Sequence, residues 1–581
     1  MATILSQLDA AFRKAIHNAF GFEADPLLSV SQNDKFGDYQ SNAAMGLAKQ
    51  VAERAGQAST GSAQGKSNPR TVAEQIKAKL NLGDMASEIS IAGPGFINVR
   101  LSPQWLGGQI AELRSDDRLG IGPTTEPATV VVDYSGVNVA KQMHVGHLRS
   151  TNIGDAIARV LDFQGQTVIR QNHIGDWGTQ FGMLIAFLKW TGLDGDARIE
   201  DLDAFYKKAR EKFDTDAPFA DQARQTVVRF QAGQPEELAL WKQIVDASRT
   251  HFQPLYERLG VKLTRADERG ESTYNPLLPA VVADLLDKGI AVRSEGAVVV
   301  FTEGDEAPLI IQKQDGGFGY ATTDLAALRY RIDTLRANRI IYFVGSPQAQ
   351  HFRQVFATAR RAGWAQNVEL EHASFGSVLG EDRKMFKARK GESVKLAELL
   401  DEAEERALKL VTEKSPELPE EQRRSIARAV GVGAIKYADL SRDRNSDYIF
   451  SFDAMLALDG NTAPYLQYAY ARTRAIFRKS GAQAGPLHGA IVLDTSHELA
   501  LAKHIMRLGE IVDLVARELK PHHLTTYLYE LATKFSGFYE NCPVIQSEEP
   551  TRTSRLMLCD ATARTLALGL DLLGIEHPEQ M

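Results

Sequence analysis

The stretch that decides the fold is VVVDYSGVNVAKQMHVGHLRSTNIGDAIARVL, residues 130–161. Its first five residues read as a buried strand, the loop that follows contains His144 and His147, and a helix is predicted from about Gly146. Strand, glycine-containing turn and helix in this order are typical of a parallel α/β sheet, which binds ligands at the carboxyl ends of its strands. The stretch therefore predicts a Rossmann-like domain with a binding site at this turn.

The loop carries groups suited to an anion. Gly146 lets a phosphate-bearing ligand approach the backbone, and the helix N-terminus offers unpaired N–H groups and a positive dipole end. His144 and His147 can donate to phosphate oxygens as negative charge develops on them. From the residues alone, a chance pair of surface histidines and a metal site stay open, although no zinc-type set of cysteines or carboxylates lies nearby.

The alternation of strands and helices continues downstream. Further strands are predicted at 166–171, 339–345 and 368–376, and a further helix from about Thr179. Long charged helical segments at about 193–263 interrupt this rhythm, which predicts a helical insertion. We predict a multidomain α/β protein whose Rossmann-like catalytic domain covers residues 121–391, followed by a helical connector at 392–426.

The two ends of the chain predict further domains. Residues 1–120 combine helical segments with a strand at 95–101, which indicates an N-terminal α+β domain. A Gly- and Ser-rich stretch between Ala55 and Pro69 is predicted to be a mobile surface loop. Residues 427–581 place Ala and Leu at helical spacing without comparable strand alternation, which predicts a C-terminal all-α bundle.

Composition excludes several classes of protein. A chain of 581 residues allows about three to four domains at ~150 residues each. The net charge of −7 excludes a generally basic nucleic-acid coat. The 2 cysteines, Cys542 and Cys559, are too few for a disulfide framework and suit a reducing compartment. No apolar run reaches the ~18 residues of a membrane span, and the N-terminus predicts an amphipathic helix rather than a signal peptide, so we expect a soluble cytoplasmic protein.

The sequence HVGH resembles the H-I-G-H element of class I aminoacyl-tRNA synthetases. Longer segments are similar, in the expected order, to blocks of the arginyl-tRNA synthetase family: GDYQSNAAM, AKQMHVGHLRST, RQNHIGDWGTQFGMLIA, GYATTDLAALRYR, FGSVLGEDRKMFKARKG and DGNTAPYLQYAYAR. The resemblance implies an arginine–tRNA ligase, which uses ATP to form arginyl-adenylate and transfers the arginyl group to the 3′-terminal adenosine of tRNA(Arg). A class I synthetase for another amino acid, a small-molecule nucleotidylyltransferase and a non-catalytic tRNA-binding protein stay open as alternatives.

The second class I element is a lysine-bearing loop, to which LGEDRKMFKARKG, residues 379–391, corresponds. Its clustered cations repel one another unless an anion lies among them, which suits a triphosphate, although a solvated charged loop is the alternative. The loop departs from K-M-S-K-S at Phe386 and Ala388, and we favour Lys387 because it aligns with the second lysine. The resemblance implies Mg²⁺ with the ATP and no zinc. The predicted ATP-binding residues are His144, Gly146, His147, Lys384, Lys387 and Arg389, with His144, His147, Lys384 and Lys387 as catalytic residues.

An arginine substrate calls for carboxylates, because a guanidinium pairs with an acid in fork geometry. Tyr320 and Asp324 lie four residues apart and would share one helix face. The resemblance implies that this tyrosine packs on the substrate stem and that the aspartate pairs with the guanidinium, and it adds Asp133, Asn138 and Gln348. Taken alone, Asp324 is more typical of a helix N-cap. Gly136-Val137 stands where the family often has Ser-Pro, so the backbone before Asn138 is expected to differ.

Binding of tRNA must depend on local patches, because no domain is basic overall. Tyr465, Arg472 and Arg474 place cations beside an aromatic ring, which suits phosphate contact and base stacking, whereas an amphipathic helix that buries its tyrosines is the alternative. The resemblance implies that the C-terminal bundle reads the anticodon and that the N-terminal domain touches the D-arm through a segment containing Phe96 and Asn98. The expected partners are tRNA(Arg), L-arginine and ATP, without a membrane, and we expect a monomer.

Overall fold

The computed structural model describes residues 3–58, 68–192, 202–384, 386, 394–481, 487 and 489–581. Within these ranges the strands form sheets of four, three, five and two strands. The strands are β1 (Leu28–Val30), β2 (Tyr39–Ser41), β3 (Ala86–Ala92), β4 (Phe96–Leu101), β5 (Thr129–Asp133), β6 (Thr167–Ile174), β7 (Glu268–Gly270), β8 (Val292–Ser294), β9 (Ala297–Val300), β10 (Leu309–Gln312), β11 (Arg339–Tyr342), β12 (Glu369–His372), β13 (Val378–Leu379) and β14 (Tyr448–Ile449).

Helices make up most of the remaining structure. In the described part of the chain, none is long and apolar enough to cross a membrane. The helices are α1 (Ile4–Phe20), α2 (Ala43–Ala58), α3 (Pro69–Lys79), α4 (Pro103–Leu113), α5 (Val145–Phe163), α6 (Thr179–Thr191), α7 (Leu202–Thr215), α8 (Ala217–Gln231), α9 (Pro235–Arg258), α10 (Leu278–Asp287), α11 (Tyr320–Asp333), α12 (Ala349–Arg361), α13 (Leu396–Lys414), α14 (Glu420–Leu440), α15 (Phe452–Met455), α16 (Ala463–Ser480), α17 (Ser496–Ile505), α18 (Leu508–Glu518), α19 (His522–Asn541) and α20 (Thr551–Leu572).

The five-stranded sheet is parallel throughout and has the order β12-β11-β5-β6-β7. Val130, Val131 and Val132 in β5 are all at most 1% exposed, because helices cover both faces of the sheet. From β5 the chain adds β6 and β7 on one side and β11 and β12 on the other. The strand order therefore reverses between β5 and β11, and ligands bind such sheets in the crevice at the carboxyl ends of these two strands.

The predicted helical insertion is present as α7, α8 and α9, which follow α6 and precede β7. Aromatic residues join the insertion to the sheet domain. The ring centroid of Phe230 in α8 lies 4.1 Å from that of Trp177, just before α6, and 6.2 Å from that of Phe181 in α6. A small antiparallel sheet of order β10-β9-β8 was not predicted. Its strands have three or four residues each, too short to show the alternation on which a strand prediction depends.

The N-terminal domain packs helices α1, α2 and α3 against an antiparallel sheet of order β1-β2-β4-β3. Helix α1 begins where the Thr3 side chain accepts the Ser6 N–H and ends at Gly21, whose φ of 74° suits a residue without a side chain. Leu8 and Phe12 on its apolar face are fully buried. These features confirm the predicted α+β character of this part of the chain.

The stretch between Ala55 and Pro69, predicted as a loop, overlaps the ends of two helices. Residues 55–58 belong to α2, and α3 begins at Pro69 because the Asn68 side chain accepts the Arg70 N–H at 3.0 Å. Helix propagation past the small residues of this stretch explains the difference. Residues 59–67 lie outside the described residues.

Where the C-terminal part is described, its regular structure is helical from α13 to α20 apart from β14, which pairs in parallel with β13. Two residues give no alternation, so this strand could not be predicted. A buried ion pair joins the bundle to the sheet domain: Arg149 Nε in α5 lies 2.8 Å from Asp439 Oδ1 in α14, and both side chains are at most 1% exposed. The helix that follows the histidine loop is therefore packed directly on the bundle.

Candidate active site

The two histidines of the loop cap the helix that they precede. His144 is the N-cap of α5, and its Nδ1 accepts the Gly146 N–H at 3.0 Å. His147 Nδ1 in turn accepts the His144 N–H at 3.2 Å, and the two ring centroids are 4.1 Å apart. Because each Nδ1 is an acceptor, each neutral imidazole carries its hydrogen on Nε2. Burial, and then the neighbouring His144, lower the pKa of His147 to about 4, so this residue is a neutral donor at physiological pH.

Gly146 is required by the imidazole beside it. A Cβ at this position would lie 2.7 Å from His144 Cε1 and 2.8 Å from His144 Nδ1. Any side chain would displace the ring from its capping position. The glycine thus keeps the helix N-terminus open and the first histidine in place.

The segment that follows the lysine-bearing loop is hydrogen-bonded to the histidine loop. The Val145 N–H donates to Val394 O and the Leu396 N–H donates to Met143 O, each at 3.0 Å. Within the loop, Phe386 stacks on Phe450 with ring centroids 4.7 Å apart. The phenylalanine that stands at a serine position of K-M-S-K-S therefore makes a packing contact. Lys384 is described and exposed, whereas Lys387 and Arg389 lie outside the described residues.

Tyr320 and Asp324 lie on one face of α11, near its start. Gly319 is the N-cap, so the interpretation of Asp324 as an N-cap is wrong: the helix begins one turn earlier than the aspartate. Both side chains contact His351, since Asp324 Oδ2 is 2.6 Å from His351 Nε2 and the Tyr320 ring centroid is 4.8 Å from that of His351. Tyr320 is 66% exposed and therefore available to a ligand.

Two further carboxylates surround this face. Burial, and then the like charges of Asp324 and Asp176, raise the pKa of Glu271 to about 7. Burial also raises the pKa of Asp176, although Ser272 donates to it through both its N–H and its hydroxyl, at 2.9 and 2.7 Å. Carboxylates crowded in this way favour a cation among them. The structure thus forms an acidic pocket from the ends of β6 and β7 and the start of α11.

Sequence reasoning missed Glu271 and His351 and gave no role to Asp176. A signal was present, because Glu271 directly follows β7, just as Asp133 ends β5. Carboxylates at the carboxyl ends of parallel strands meet at one edge of the sheet. The signal can be recognised only once β7 is identified. Because this strand is three residues long, the sequence does not reveal it.

Asp133 is placed at the carboxyl end of β5, but its charge is already compensated. Its Oδ2 accepts from Arg331 Nη2 at 2.6 Å, and Arg331 is completely buried and also donates to Gln171 Oε1 at 2.7 Å. A second guanidinium would meet less negative charge here than beside Asp324. The role of Asp133 in arginine binding stays a prediction.

Asn138 is exposed in the loop after β5 and is bridged to Gly175, the residue before Asp176. A Cβ on Gly175 would lie 2.6 Å from Asn138 Oδ1, so this glycine makes room for the carboxamide. The departure at Gly136 also has a local cause, since its φ of 58° is one that glycine adopts readily. Gln348 is exposed in the short turn that precedes α12, after β11.

The residues predicted to contact tRNA lie in two separate places. Asn98 is 2% exposed and accepts from Gln40 Nε2 at 2.8 Å, while Phe96 begins β4 and is half-buried. In the bundle, α16 carries the remaining set, which packs partly within the protein. Tyr465 contacts the Tyr529 ring at 5.7 Å, Arg472 lies over the Tyr539 ring at 4.2 Å, and Arg474 Nη2 is 3.5 Å from Glu579 Oε1. Their binding roles stay predictions.

Family models match the chain along its length. The arginyl tRNA synthetase N terminal domain matches residues 6–101, the catalytic domain of the tRNA synthetases class I (R) matches residues 109–452, and the DALR anticodon binding domain matches residues 466–581. The parallel sheet, the histidine loop at its switch point and the catalytic-domain model define a class I aminoacyl-tRNA synthetase.

Relatives over the whole length specify the family. The arginine–tRNA ligase of Synechococcus elongatus is 51% identical over 608 residues and covers 100% of both chains, and that of Cellvibrio japonicus is 52% identical over 567 residues, 96% of both chains. The solved arginyl-tRNA synthetase of Plasmodium falciparum has a TM-score of 0.87 at 31% identity and covers 100% of both chains. That of Thermus thermophilus has a TM-score of 0.81 at 27% identity, covering 99% of this chain and 100% of the other.

The chain belongs to the arginyl-tRNA synthetase family. This membership confirms the predicted fold class, a Rossmann-like catalytic domain with an N-terminal α+β domain and a C-terminal helical bundle. It also confirms the predicted enzyme class, an aminoacyl-tRNA ligase of the arginine type.

Proposed function

We propose that the chain activates L-arginine with ATP and transfers the arginyl group to the 3′-terminal adenosine of tRNA(Arg). One observation carries the proposal. The two imidazoles of the histidine loop, which can donate hydrogen bonds to phosphate oxygens, and the crowded carboxylates of the acidic pocket lie at the same edge of one parallel sheet. The donors suit the anionic triphosphate, and the carboxylates suit the guanidinium. The reacting carboxylate and the α-phosphate would meet between these two groups of residues.

In the first step an arginine carboxylate oxygen attacks the α-phosphorus of ATP, and the bond to the β-phosphate oxygen breaks, releasing pyrophosphate. His144 and His147 donate from Nε2 to phosphate oxygens, while Lys384, Lys387 and Arg389 neutralise charge on the leaving group. A neutral His147 fits this role, because it donates a hydrogen bond without first losing or gaining a proton. Positioning and electrostatics suffice, and no protein nucleophile is needed.

Mg²⁺ enters as part of the ATP complex. Among the described residues, no group of three or more His, Cys, Asp or Glu side chains could hold a metal ion. Mg²⁺ keeps several waters and binds substrate phosphates rather than an all-protein cage, so the triphosphate would supply its ligands. When bound, it supplies positive charge to the triphosphate.

Recognition of arginine is assigned to the acidic pocket. Asp324 and Glu271 pair with the guanidinium, and Tyr320 packs on the aliphatic stem. Asn138 and Gln348 bind the α-amino and carboxylate groups of arginine. Asp133, already paired with Arg331, makes the surroundings of these groups polar. The pairing makes Asp133 the weaker of the acids toward a second cation.

In the second step a terminal hydroxyl of the tRNA, the 2′-hydroxyl by the class I pattern, attacks the arginyl carbonyl and AMP leaves. The segment containing Phe96 and Asn98 serves the D-arm, and α16, with Tyr465, Arg472 and Arg474, serves the anticodon side. We further propose that the protein works as a monomer in the cytoplasm, where the buried thiols of Cys542 and Cys559 stay reduced.

The test is pyrophosphate exchange into ATP, measured with each of the common amino acids in the presence and absence of tRNA(Arg). Among the amino acids, only arginine is expected to support exchange. If tRNA(Arg) stimulates this exchange, the bound tRNA is needed to complete the active site. Exchange supported by a different amino acid and not by arginine would overturn the proposed specificity.

A further inference from the structure

His351 contacts two of the residues assigned to arginine recognition, Asp324 and Tyr320. It lies in the first turn of α12, and its Nε2 is 2.6 Å from Asp324 Oδ2. Its ring packs on Tyr320 with centroids 4.8 Å apart and an angle of 58°. His351 is only 9% exposed, so the imidazole itself is nearly buried beneath the exposed Tyr320 ring.

The imidazole is itself held from behind. Its ring centroid is 5.3 Å from that of Phe352, and Phe352 packs 4.8 Å from Tyr342, the last residue of β11. The chain of rings runs from the parallel sheet to the pocket. Side chains packed in this way hold one rotamer, so the donor that faces Asp324 has a fixed position.

Histidine has the chemistry for orienting a carboxylate that must also bind a guanidinium. A carboxylate has about four lone-pair positions, and a hydrogen bond to Oδ2 leaves acceptor sites for a fork of two N–H groups. An imidazole with its hydrogen on Nε2 donates that single hydrogen to the carboxylate. A lysine or arginine at the same place would compete with the substrate for Asp324.

We propose that His351 is a positioning residue for arginine recognition: it fixes the Asp324 carboxylate and the Tyr320 ring in the orientation that receives the guanidinium. The proposal rests on the proposed function of the acidic pocket. It extends the pocket to a residue that acts through Asp324 without touching the reacting atoms.

The first experiment measures aminoacylation of tRNA(Arg) by the full chain with His351→Leu and His351→Gln. We expect His351→Leu to raise KM for arginine about 10- to 100-fold, the range of a hydrogen bond to a charged group, with kcat and KM for ATP changed less than about threefold. His351→Gln carries an amide donor of similar reach and should recover most of the loss. An unchanged KM for arginine in His351→Leu would overturn the proposal.

A matched control separates positioning from packing. His504 is also buried, stacks on a tyrosine, Tyr527, at 4.5 Å, and makes a hydrogen bond of 2.9 Å to Tyr527 O. His504→Leu should lower the melting temperature as His351→Leu does, but leave KM for arginine unchanged. If both variants raise this KM equally, the effect is a general loss of packing and the proposal fails. Should His351→Leu not fold, His351→Asn replaces it, because its shorter amide cannot reach Asp324 as glutamine does.

The Asp324→Asn variant distinguishes failure of the inference from failure of the proposed function. If Asp324→Asn raises KM for arginine and His351→Leu does not, the pocket stands and the role of His351 is wrong. If Asp324→Asn leaves this KM unchanged, the pocket itself is wrong. In the double variant, the loss should be no greater than with Asp324→Asn alone, because His351 acts through that carboxylate; additive losses would contradict the proposal.

Discussion

The histidine loop and the acidic pocket face the same crevice, yet they are built in opposite ways. The loop is continuous in sequence, and its two imidazoles are held by hydrogen bonds from backbone N–H groups only two or three residues away. The pocket is assembled from Asp176, Glu271, Asp324 and His351, which come from separate elements. The first region supplies donors and the second supplies negative charge. The proposed site thus combines a local sequence motif, which suits the negatively charged ATP, with residues brought together by the fold, which suit the positively charged arginine side chain.

The largest effect is expected where a donor faces charge that develops in the reaction. His147→Ala should lower kcat about 10²- to 10³-fold, the usual cost of removing one such donor, with KM for arginine nearly unchanged. Steady-state aminoacylation measures both constants. His17→Ala, at an exposed histidine near the end of α1, is the control. A kcat within threefold of the unmodified protein would remove His147 from the phosphate site.

In the pocket, Glu271→Gln keeps the shape of the side chain and removes its charge. KM for arginine should rise about 10- to 100-fold, because one charged partner of the guanidinium becomes neutral, while KM for ATP stays constant. Asp333→Asn, at the exposed end of α11, is the matched control for loss of one carboxylate. Equal changes in the KM of arginine and ATP would contradict a division between the two regions.

The pH dependence of arginine binding tests whether Glu271 of the acidic pocket binds the guanidinium. The pKa of Glu271 is raised to about 7, so this group is mostly protonated at pH 6 and mostly ionised at pH 8. A guanidinium binds the ionised form, and KM for arginine should therefore fall about tenfold as the pH rises across this interval. Glu271→Gln should abolish the fall. A KM that rises with pH, or a fall that persists in the variant, would be inconsistent with Glu271 as the titrating group.

A smaller effect is expected from the glycine of the loop. In Gly146→Ala the new Cβ would meet the His144 ring at 2.7 Å and displace the helix cap. A lost cap costs about 1 kcal/mol, and we expect kcat to fall about fivefold. Gly108→Ala is the control, because a Cβ there meets no heavy atom within 4 Å. Full activity of Gly146→Ala would show that the cap does not position His144.

The smallest effect concerns the departure from K-M-S-K-S. Phe386→Ser restores the serine but removes the stacking on Phe450. We expect a loss of stability of about 1 kcal/mol and a change in kcat/KM for ATP of less than about threefold. Thermal unfolding and aminoacylation at varied ATP measure the two quantities. A large loss of activity would assign Phe386 a role in ATP binding beyond packing.

The comparison also explains what the sequence could predict. The strand Val130–Val132 and the histidine loop were predictable because burial and capping are local: apolar β-branched residues form the strand, and Gly146 marks the turn. Tyr320 and Asp324 were predictable as a pair through helical spacing. The exact start of α11 could not be predicted, because its N-cap residue, Gly319, has no side chain to mark it. For this reason the interpretation of Asp324 as the N-cap was wrong.

Residues whose roles depend on distant partners could not be read from the sequence. Nothing local in His351 indicates that Asp324 lies 2.6 Å away, and nothing local in Arg331 indicates that it compensates Asp133. Glu271 follows a strand too short for periodicity to reveal. In each case the missing information is tertiary: which carboxyl ends and helix starts the sheet order brings together.

The most direct test varies arginine and ATP independently in the unmodified protein, His147→Ala and Asp324→Asn, under saturating tRNA(Arg). The account predicts separable defects: His147→Ala lowers kcat with little change in KM for arginine, and Asp324→Asn raises KM for arginine at least about tenfold with KM for ATP unchanged. If Asp324→Asn left KM for arginine unchanged, or if both variants shifted the same constants alike, the assignment of opposite substrate ends to the two regions would be contradicted.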